Sequence, residues 1–275
     1  MVVFPNCKLN LGLRILNKRE DGFHNLETVF YPIALKDALE IIAAPNNKDA
    51  VAFSSSGLTV EGNVEDNICI KAFHLIKKDF PGLPSIKMHL HKAIPMGAGL
   101  GGGSADAAFT LQLLNNKFDL GIDDAQLIHY AAQLGSDCAF FMLNKPCYAT
   151  GRGEIMEAIN VDLSAYKIIL INPGIHVNTG WAFSQLESER FKRSEPYLRN
   201  IIQQSLSTWK DTLLNDFEIP VFEKYPAIKK IKEDLYNRGA IYAAMSGSGS
   251  TVFGIFEKHA LIDYPQKETF VKILS

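Results

Sequence analysis

At 275 residues, with 47% hydrophobic and 21% charged residues, the chain has the make-up of an ordinary globular protein of one or two domains. A net charge of −2 without a basic run excludes a nucleic-acid footprint, and no apolar run reaches membrane-spanning length. Cys7, Cys69, Cys138 and Cys147 show no CxxC or Cys/His metal spacing, and the first residues lack a signal-peptide core, so the expected setting is a soluble protein of the reducing cytoplasm.

Residues 7–15 alternate, with Leu9, Leu11, Leu13 and Ile15 on one face and Lys8, Asn10, Gly12 and Arg14 on the other. This predicts a half-buried strand with a polar face. A turn-rich segment, Arg19-Glu20-Asp21-Gly22-Phe23-His24, follows. Residues 28–35 and 38–43 predict strands, with a turn at 46–49. Asp66-Asn67 opens a helix through Lys77 that stops before Pro81-Gly82. A strand over 86–94 runs into five glycines among residues 97–103, and a helix continues from Ser104. A second helix runs from Asp123-Asp124 to Gly135, with no strand between the two.

Strands are expected at 147–150 and 167–172, with a domain joint around Asn160-Val161-Asp162. A polar helical stretch over 179–209 comes next, with poor order signals at 193–196. The chain ends with a helix at 229–237 closed by Gly239 and strands at 241–245 and 251–257 joined by Ser246-Gly247-Ser248-Gly249-Ser250. Strands and helices mixed without strict βαβ alternation predict an α+β protein.

The segment Pro95-Met96-Gly97-Ala98-Gly99-Leu100-Gly101-Gly102-Gly103-Ser104 lies at a strand-to-helix junction. Its glycines let the backbone approach a ligand and turn several N–H groups inward, and the helix after it adds its positive end. Phosphate oxygens are the natural ligand. A Walker A loop would need Gly-Lys-Ser/Thr, and the lysine is missing. Gly97, Gly99 and Gly102 satisfy GxGxxG, but a dinucleotide fold requires a parallel strand after the helix, where this chain predicts a second helix.

Extended through Ala105-Asp106-Ala107-Ala108, the loop resembles the phosphate motif of the GHMP kinases, the superfamily of galactokinase, homoserine, mevalonate and phosphomevalonate kinases. Four more segments carry the resemblance in the family's order: Lys8-Leu9-Asn10-Leu11 with Asp21-Gly22-Phe23-His24, then Gly135-Ser136-Asp137, Asn215-Asp216-Phe217-Glu218, and residues 246–251. It is nearest to the branch whose acceptor is a cytidine-diphosphate-linked polyol of isoprenoid precursor biosynthesis. Phe23 stands where the family often has Tyr, and Cys138-Ala139 where it often has an aliphatic residue and Pro.

The resemblance implies the fold of a two-domain GHMP kinase: an ATP-binding N-terminal domain like ribosomal protein S5 domain 2 (1–158) and a ferredoxin-like C-terminal domain (159–275) contributing to the substrate site. It implies ATP with Mg²⁺ as the co-substrate and no prosthetic group. By the same resemblance Pro95, Met96, Gly97, Ala98, Gly99, Leu100, Gly101, Gly102, Gly103, Ser104 and Ala105 hold ATP. Lys8 and Asp137 are the implied catalytic pair, and Asn10, Phe23, His24, Thr179 and Phe183 are the implied acceptor site. Asn67 and Lys92 line the adenine or ribose side, or are a helix cap and a solvated strand residue. Ser104 caps its helix or touches Mg²⁺; other metal ligands are not assigned. The implied partner is a small molecule carrying cytidine diphosphate, with no nucleic acid and no membrane, and the expected chain is a monomer or weak homodimer. The competing expectations are a different small-alcohol kinase of homoserine or mevalonate type, a nicotinamide-dependent oxidoreductase and an inactive nucleotide-binding module.

Overall fold

The computed structural model describes residues 1–60, 62–186, 197–265 and 270–274. In chain order the strands are β1 (Val2–Val3), β2 (Asn6–Lys18), β3 (His24–Lys36), β4 (Ala38–Ala43), β5 (Val51–Gly57), β6 (Ile86–Lys92), β7 (Cys147–Thr150), β8 (Ile155–Ala158), β9 (Tyr166–Asn172), β10 (Tyr242–Met245), β11 (Val252–Glu257) and β12 (Phe270–Leu274). The α-helices are α1 (Ile68–Asp79), α2 (Gly102–Phe118), α3 (Asp124–Leu134), α4 (Ser136–Leu143), α5 (Thr179–Ser184), α6 (Leu198–Ile201), α7 (Trp209–Thr212), α8 (Glu218–Lys224) and α9 (Pro226–Asn237). The chain forms two compact units, residues 1–7, 33–96 and 101–145 in the first, and 8–32, 97–100 and 146–275 in the second. The units are thus interleaved along the sequence, whereas the expected division was one cut at residue 158.

In the first unit the sheet order is β1-β4-β6-β5, antiparallel except for the parallel pair β5 and β6. Helices α1, α2 and α3 bury Phe73, Ile76, Leu111, Leu114 and Leu127 against Leu39 and Ile41 of β4 and Ile86, Met88 and Leu90 of β6. The inward phase of β6 continues through Ile86, Met88 and Leu90 to Lys92, which is 2% exposed. Lys92 is therefore a core-facing lysine, and the expectation of a solvated strand residue is corrected. Asn67 does cap α1, its side chain accepting from the Cys69 N–H at 2.9 Å.

The second unit is built on the antiparallel sheet β10-β11-β9-β12. Ile169, Ile171, Ala243, Met245, Val252 and Phe256 form a core with Val221 of α8 and Ile228, Ile231 and Leu235 of α9. Helix α9 starts on Pro226, whose fixed φ suits the first turn, and Gly239 comes after it at φ +90°. A further sheet has the order β2-β3-β7-β8. The α+β expectation is met.

One local expectation is corrected and others gain detail. The helix after the glycine loop begins at Gly102, with Gly101 as its cap, so Ser104 is not the N-cap. Gly135 is the C-cap of α3, as expected, with extended backbone at φ 167°, and the chain enters α4 at once, so that Asp137 sits in its first turn. Among the described residues the helical stretch over 179–209 holds the short helices α5 and α6, and α7 starts at its last residue, Trp209. Asn178 caps α5, its side chain accepting from the Trp181 N–H at 2.8 Å. The expectation for 193–196 lies outside the described residues. All four cysteines are buried, and no disulfide is present among the described residues.

Candidate active site

The glycine loop takes the conformation its composition allows. Gly97, Gly99 and Gly101 all have positive φ, at +61°, +77° and +68°. A side chain at Gly99 is excluded twice over, since its Cβ would lie 1.9 Å from the carbonyl oxygen of Ser246. Gly99 is glycine because another backbone passes over it.

Hydrogen bonds hold residues 98–100 in place within the second unit. The Lys8 N–H donates to Leu100 O at 3.0 Å, and the Thr251 N–H donates to Ala98 O at 3.2 Å. The Ser246 hydroxyl donates to Gly99 O at 2.8 Å and accepts from the Asn10 N–H at 3.2 Å. Three motifs far apart in sequence, at the N-terminal strand, the glycine loop and the 246–251 turn, are thereby laced together. Asn215 braces the turn, its amide donating to Met245 O at 2.7 Å and Gly247 O at 2.8 Å. Asp216 accepts from the Ile15 N–H at 2.9 Å. Sequence reasoning noted the Asn-Asp segment without a role; here it joins β2 to the turn before β11.

Lys8 and Asn10 share a face of β2, as their spacing requires, but that face is buried: each is 3% exposed. Lys8 Nζ donates to Asn10 Oδ1 at 2.5 Å and lies 5.0 Å from the centre of the Phe30 ring. The Asn10 amide donates to Thr28 Oγ1 at 3.0 Å, and Thr28 donates to Gly12 O at 2.6 Å. This relay fixes the Asn10 amide so that its oxygen faces the ammonium. Asn10 thus orients Lys8, a role its assignment to the acceptor did not include.

Asp137 is half-buried in the first turn of α4, in the first unit. Beside it, burial pushes the Cys138 thiol up to about 12, and the Ser104 side chain is its hydrogen-bond partner. Among the described residues no three His, Cys, Asp or Glu side chains group as a metal site. A cavity of about 190 Å³ in the first unit is lined by Val60, Asn63, Asn67, Leu90, Met96 and Gly103, and Lys92 reaches its wall. Two of the expected nucleoside-side residues, Asn67 and Lys92, therefore meet at one cavity.

The aromatic residues assigned to the acceptor lie in the second unit. His24 and Phe183 stack, with ring centroids 5.0 Å apart and 18° between planes, and Phe183 meets Phe217 edge-on at 4.8 Å. Burial, then the nearby Lys18, lowers the His24 pKa, so the ring is neutral near pH 7. Phe23 is 50% exposed on a turn held by Asp21, which accepts from the Phe23 N–H at 3.1 Å. The Arg152 guanidinium covers one face of the Phe23 ring at 3.9 Å, a neighbour no sequence pattern indicated. Thr179 is exposed, with its hydroxyl 2.9 Å from Ser248 Oγ of the glycine turn.

Comparison with known proteins gives consistent matches. The model of the GHMP kinases N terminal domain matches residues 67–145, and that of the GHMP kinases C terminal domain matches 197–263. A 4-diphosphocytidyl-2-C-methyl-D-erythritol kinase of Bacteroides fragilis (strain YCH46) is 51% identical over 267 residues, 96% of each chain. One from Cytophaga hutchinsonii is 51% identical over 257 residues, 93% of this chain and 92% of that protein. A crystal structure of 4-(cytidine 5′-diphospho)-2C-methyl-D-erythritol kinase superposes with a TM-score of 0.81 at 29% identity, covering 94% of this chain and 91% of that one.

Proposed function

Since the chain belongs to the 4-diphosphocytidyl-2-C-methyl-D-erythritol kinases of the GHMP kinase superfamily, we propose that it transfers the γ-phosphoryl group of ATP to the 2-hydroxyl of that cytidyl polyol. The observation that carries this is 51% identity along 96% of both chains. The step belongs to isoprenoid precursor biosynthesis. ATP binding falls to the N-terminal part, 1–158, while 159–275 contributes to the substrate site.

Phosphoryl transfer needs little covalent help from a protein; it needs the triphosphate held, its charge offset and the acceptor aligned. The glycine loop, with three positive-φ residues and the start of α2, supports phosphate binding through backbone N–H groups. The cavity around Asn67 and Met96 takes the nucleoside of ATP. The Ser104 hydroxyl, a hard oxygen, would hold the Mg²⁺ that accompanies ATP, and the ion would draw charge from the phosphates. Asp137 accepts the proton of the acceptor hydroxyl as the oxygen–phosphorus bond forms and the bond to the leaving ADP oxygen breaks. Lys8, oriented by Asn10, offsets charge on the transferring group. The cytosine stacks on Phe23 and Phe183, with His24 at its edge and Thr179 near the diphosphate or polyol. The working protein is cytoplasmic, as a monomer or weak homodimer.

ADP release by the purified chain with Mg-ATP tests this, comparing 4-diphosphocytidyl-2-C-methyl-D-erythritol with mevalonate, homoserine and galactose. Turnover on the cytidyl acceptor alone is expected. Turnover only on another alcohol would keep the kinase and discard the pocket around His24.

A further inference from the structure

Three charged side chains that the transfer step does not use are buried together where the chain enters and leaves the glycine loop. Lys92 Nζ donates to the Asp37 carboxylate and, at 2.7 Å, to Asp106 Oδ2. The side chains of Lys92, Asp37 and Asp106 are 1%, 0% and 3% exposed. Lys92 ends β6, Asp37 lies between β3 and β4, and Asp106 is in the first turns of α2.

The two carboxylates are not equivalent. Asp37 accepts from Lys92 and from the N–H groups of Ala93 at 2.6 Å and Ile94 at 2.9 Å. Among the described residues Asp106 receives only Lys92, and its Oδ1 is buried with no donor. One ammonium between two carboxylates leaves an uncompensated buried charge, which is costly. Because both carboxylates contact the same Lys92 Nζ, Asp106 and Asp37 are close neighbours, and two bare carboxylates there would repel. A single proton between them removes both problems. Asp37, with three donors already, is the better place for the charge.

We propose that Asp37, Lys92 and Asp106 form a positioning device for the phosphate loop, in which Asp37 carries the charge and Asp106 holds a proton directed at Asp37. Through it, residues 92–94 at the loop's entrance are tied to the start of α2 at its exit. The two ends also pack closely: a Cβ on Gly102 would lie 2.8 Å from Ile94 Cγ2 and 3.4 Å from Lys92 Nζ. The loop's span is thereby fixed before ATP arrives, which lowers the cost of ordering it on binding.

The inference rests on the ATP-binding reading, and binding of Mg-ATP alone, by calorimetry on the full chain, tests it without any acceptor. Asp106→Ala leaves a balanced Asp37–Lys92 pair but cuts the tie to α2; its Kd for Mg-ATP is expected to rise about tenfold. Asp106→Asn restores the tie, its oxygen accepting from Lys92 and its amide donating to Asp37 as the proton did, and is expected within about threefold of wild type. In turnover, the Ala variant should raise KM for ATP and leave KM for the acceptor within about twofold. If Asp106→Asn binds as poorly as the Ala variant, Asp106 is charged and the proton assignment falls. If the Ala variant binds like wild type, the cluster is only a core ion pair. Should the Ala variant not fold, Gly102→Ala probes the same junction: weakened Mg-ATP binding is expected, and unchanged binding would overturn the positioning role. If wild type itself does not bind Mg-ATP, the kinase reading fails first.

Discussion

The hydroxyl of Ser246 donates to the carbonyl of Gly99 at 2.8 Å, across 147 positions of sequence, and the Gly99 backbone has no room for a side chain beneath the Ser246 carbonyl. The turn before β11 and residues 98–100 therefore act as one structure. Ser246→Ala removes this hydrogen bond and the one its hydroxyl accepts from the Asn10 N–H, each worth about 1 kcal/mol, and is expected to raise KM for ATP at least about fivefold with little change for the acceptor. Gly99→Ala meets both the clash and a φ of +77°, which alone strains a side-chain-bearing residue by about 1–3 kcal/mol. Its thermal midpoint should fall by at least about 4 °C, with ATP binding lost; differential scanning fluorimetry with and without ATP checks both.

Asp137→Asn retains the shape of the first turn of α4 and removes the proton acceptor. Turnover should drop by about 100-fold to 10,000-fold while Mg-ATP affinity stays near wild type. A near wild-type rate would remove Asp137 from the chemistry. Lys8→Met should lose turnover comparably, and Asn10→Ala, which keeps the ammonium but removes its hydrogen bond to Asn10 and the Asn10 bond to Thr28, should lose less.

Phe183→Ala opens the stack on His24 and the edge contact to Phe217. Aromatic contacts of this kind contribute about 0.5–1.5 kcal/mol. KM for the cytidyl acceptor should therefore rise about threefold to tenfold, with KM for ATP unmoved. Equal rises in both would make Phe183 a core residue instead of an acceptor contact.

Stability should depend on pH through Asp106. Burial, opposed by Lys92 and reinforced by Asp37, pushes its carboxyl up to about 7 from an ordinary 3.8. Between these values the folded chain holds a proton that the unfolded chain releases, so the contribution is full below about 4 and declines as pH rises to about 7. The groups facing it are Lys92 on β6, Asp37 before β4 and the Cys69 thiol on α1, which burial raises. Denaturant unfolding at several pH values should show this decline in wild type and a flatter profile in Asp106→Asn.

Much of this was legible in the sequence because the signals were local. The alternation of β2 and the limits of β4 and β7 come from side-chain period and turn residues, and the glycine loop from composition. What escaped depended on distant partners. The polar face of β2 reads as solvated, yet Lys8 and Asn10 are buried because Thr28 and Phe30 of β3 lie over them. Lys92 reads as a surface lysine, since its carboxylates are 55 and 14 positions away. Helix α4 has eight residues and no side-chain cap, leaving no start signal before Asp137. The acceptor residues come from the resemblance alone, and the contacts of His24 with Phe183 and of Arg152 with Phe23 join positions far apart in the chain, beyond the reach of any local pattern.

The four buried cysteines give the molecule a built-in record of its own opening. With the thiols of Cys138 and Cys147 both held up to about 12 chiefly by burial, almost none of either is the reactive thiolate at neutral pH. Two of the four, Cys69 and Cys138, lie in the core of the first unit, and Cys147 belongs to the second. Alkylation at each site therefore counts how often that part of the fold comes apart, and ATP should slow the count at Cys69 and Cys138 if the nucleotide holds the first unit closed.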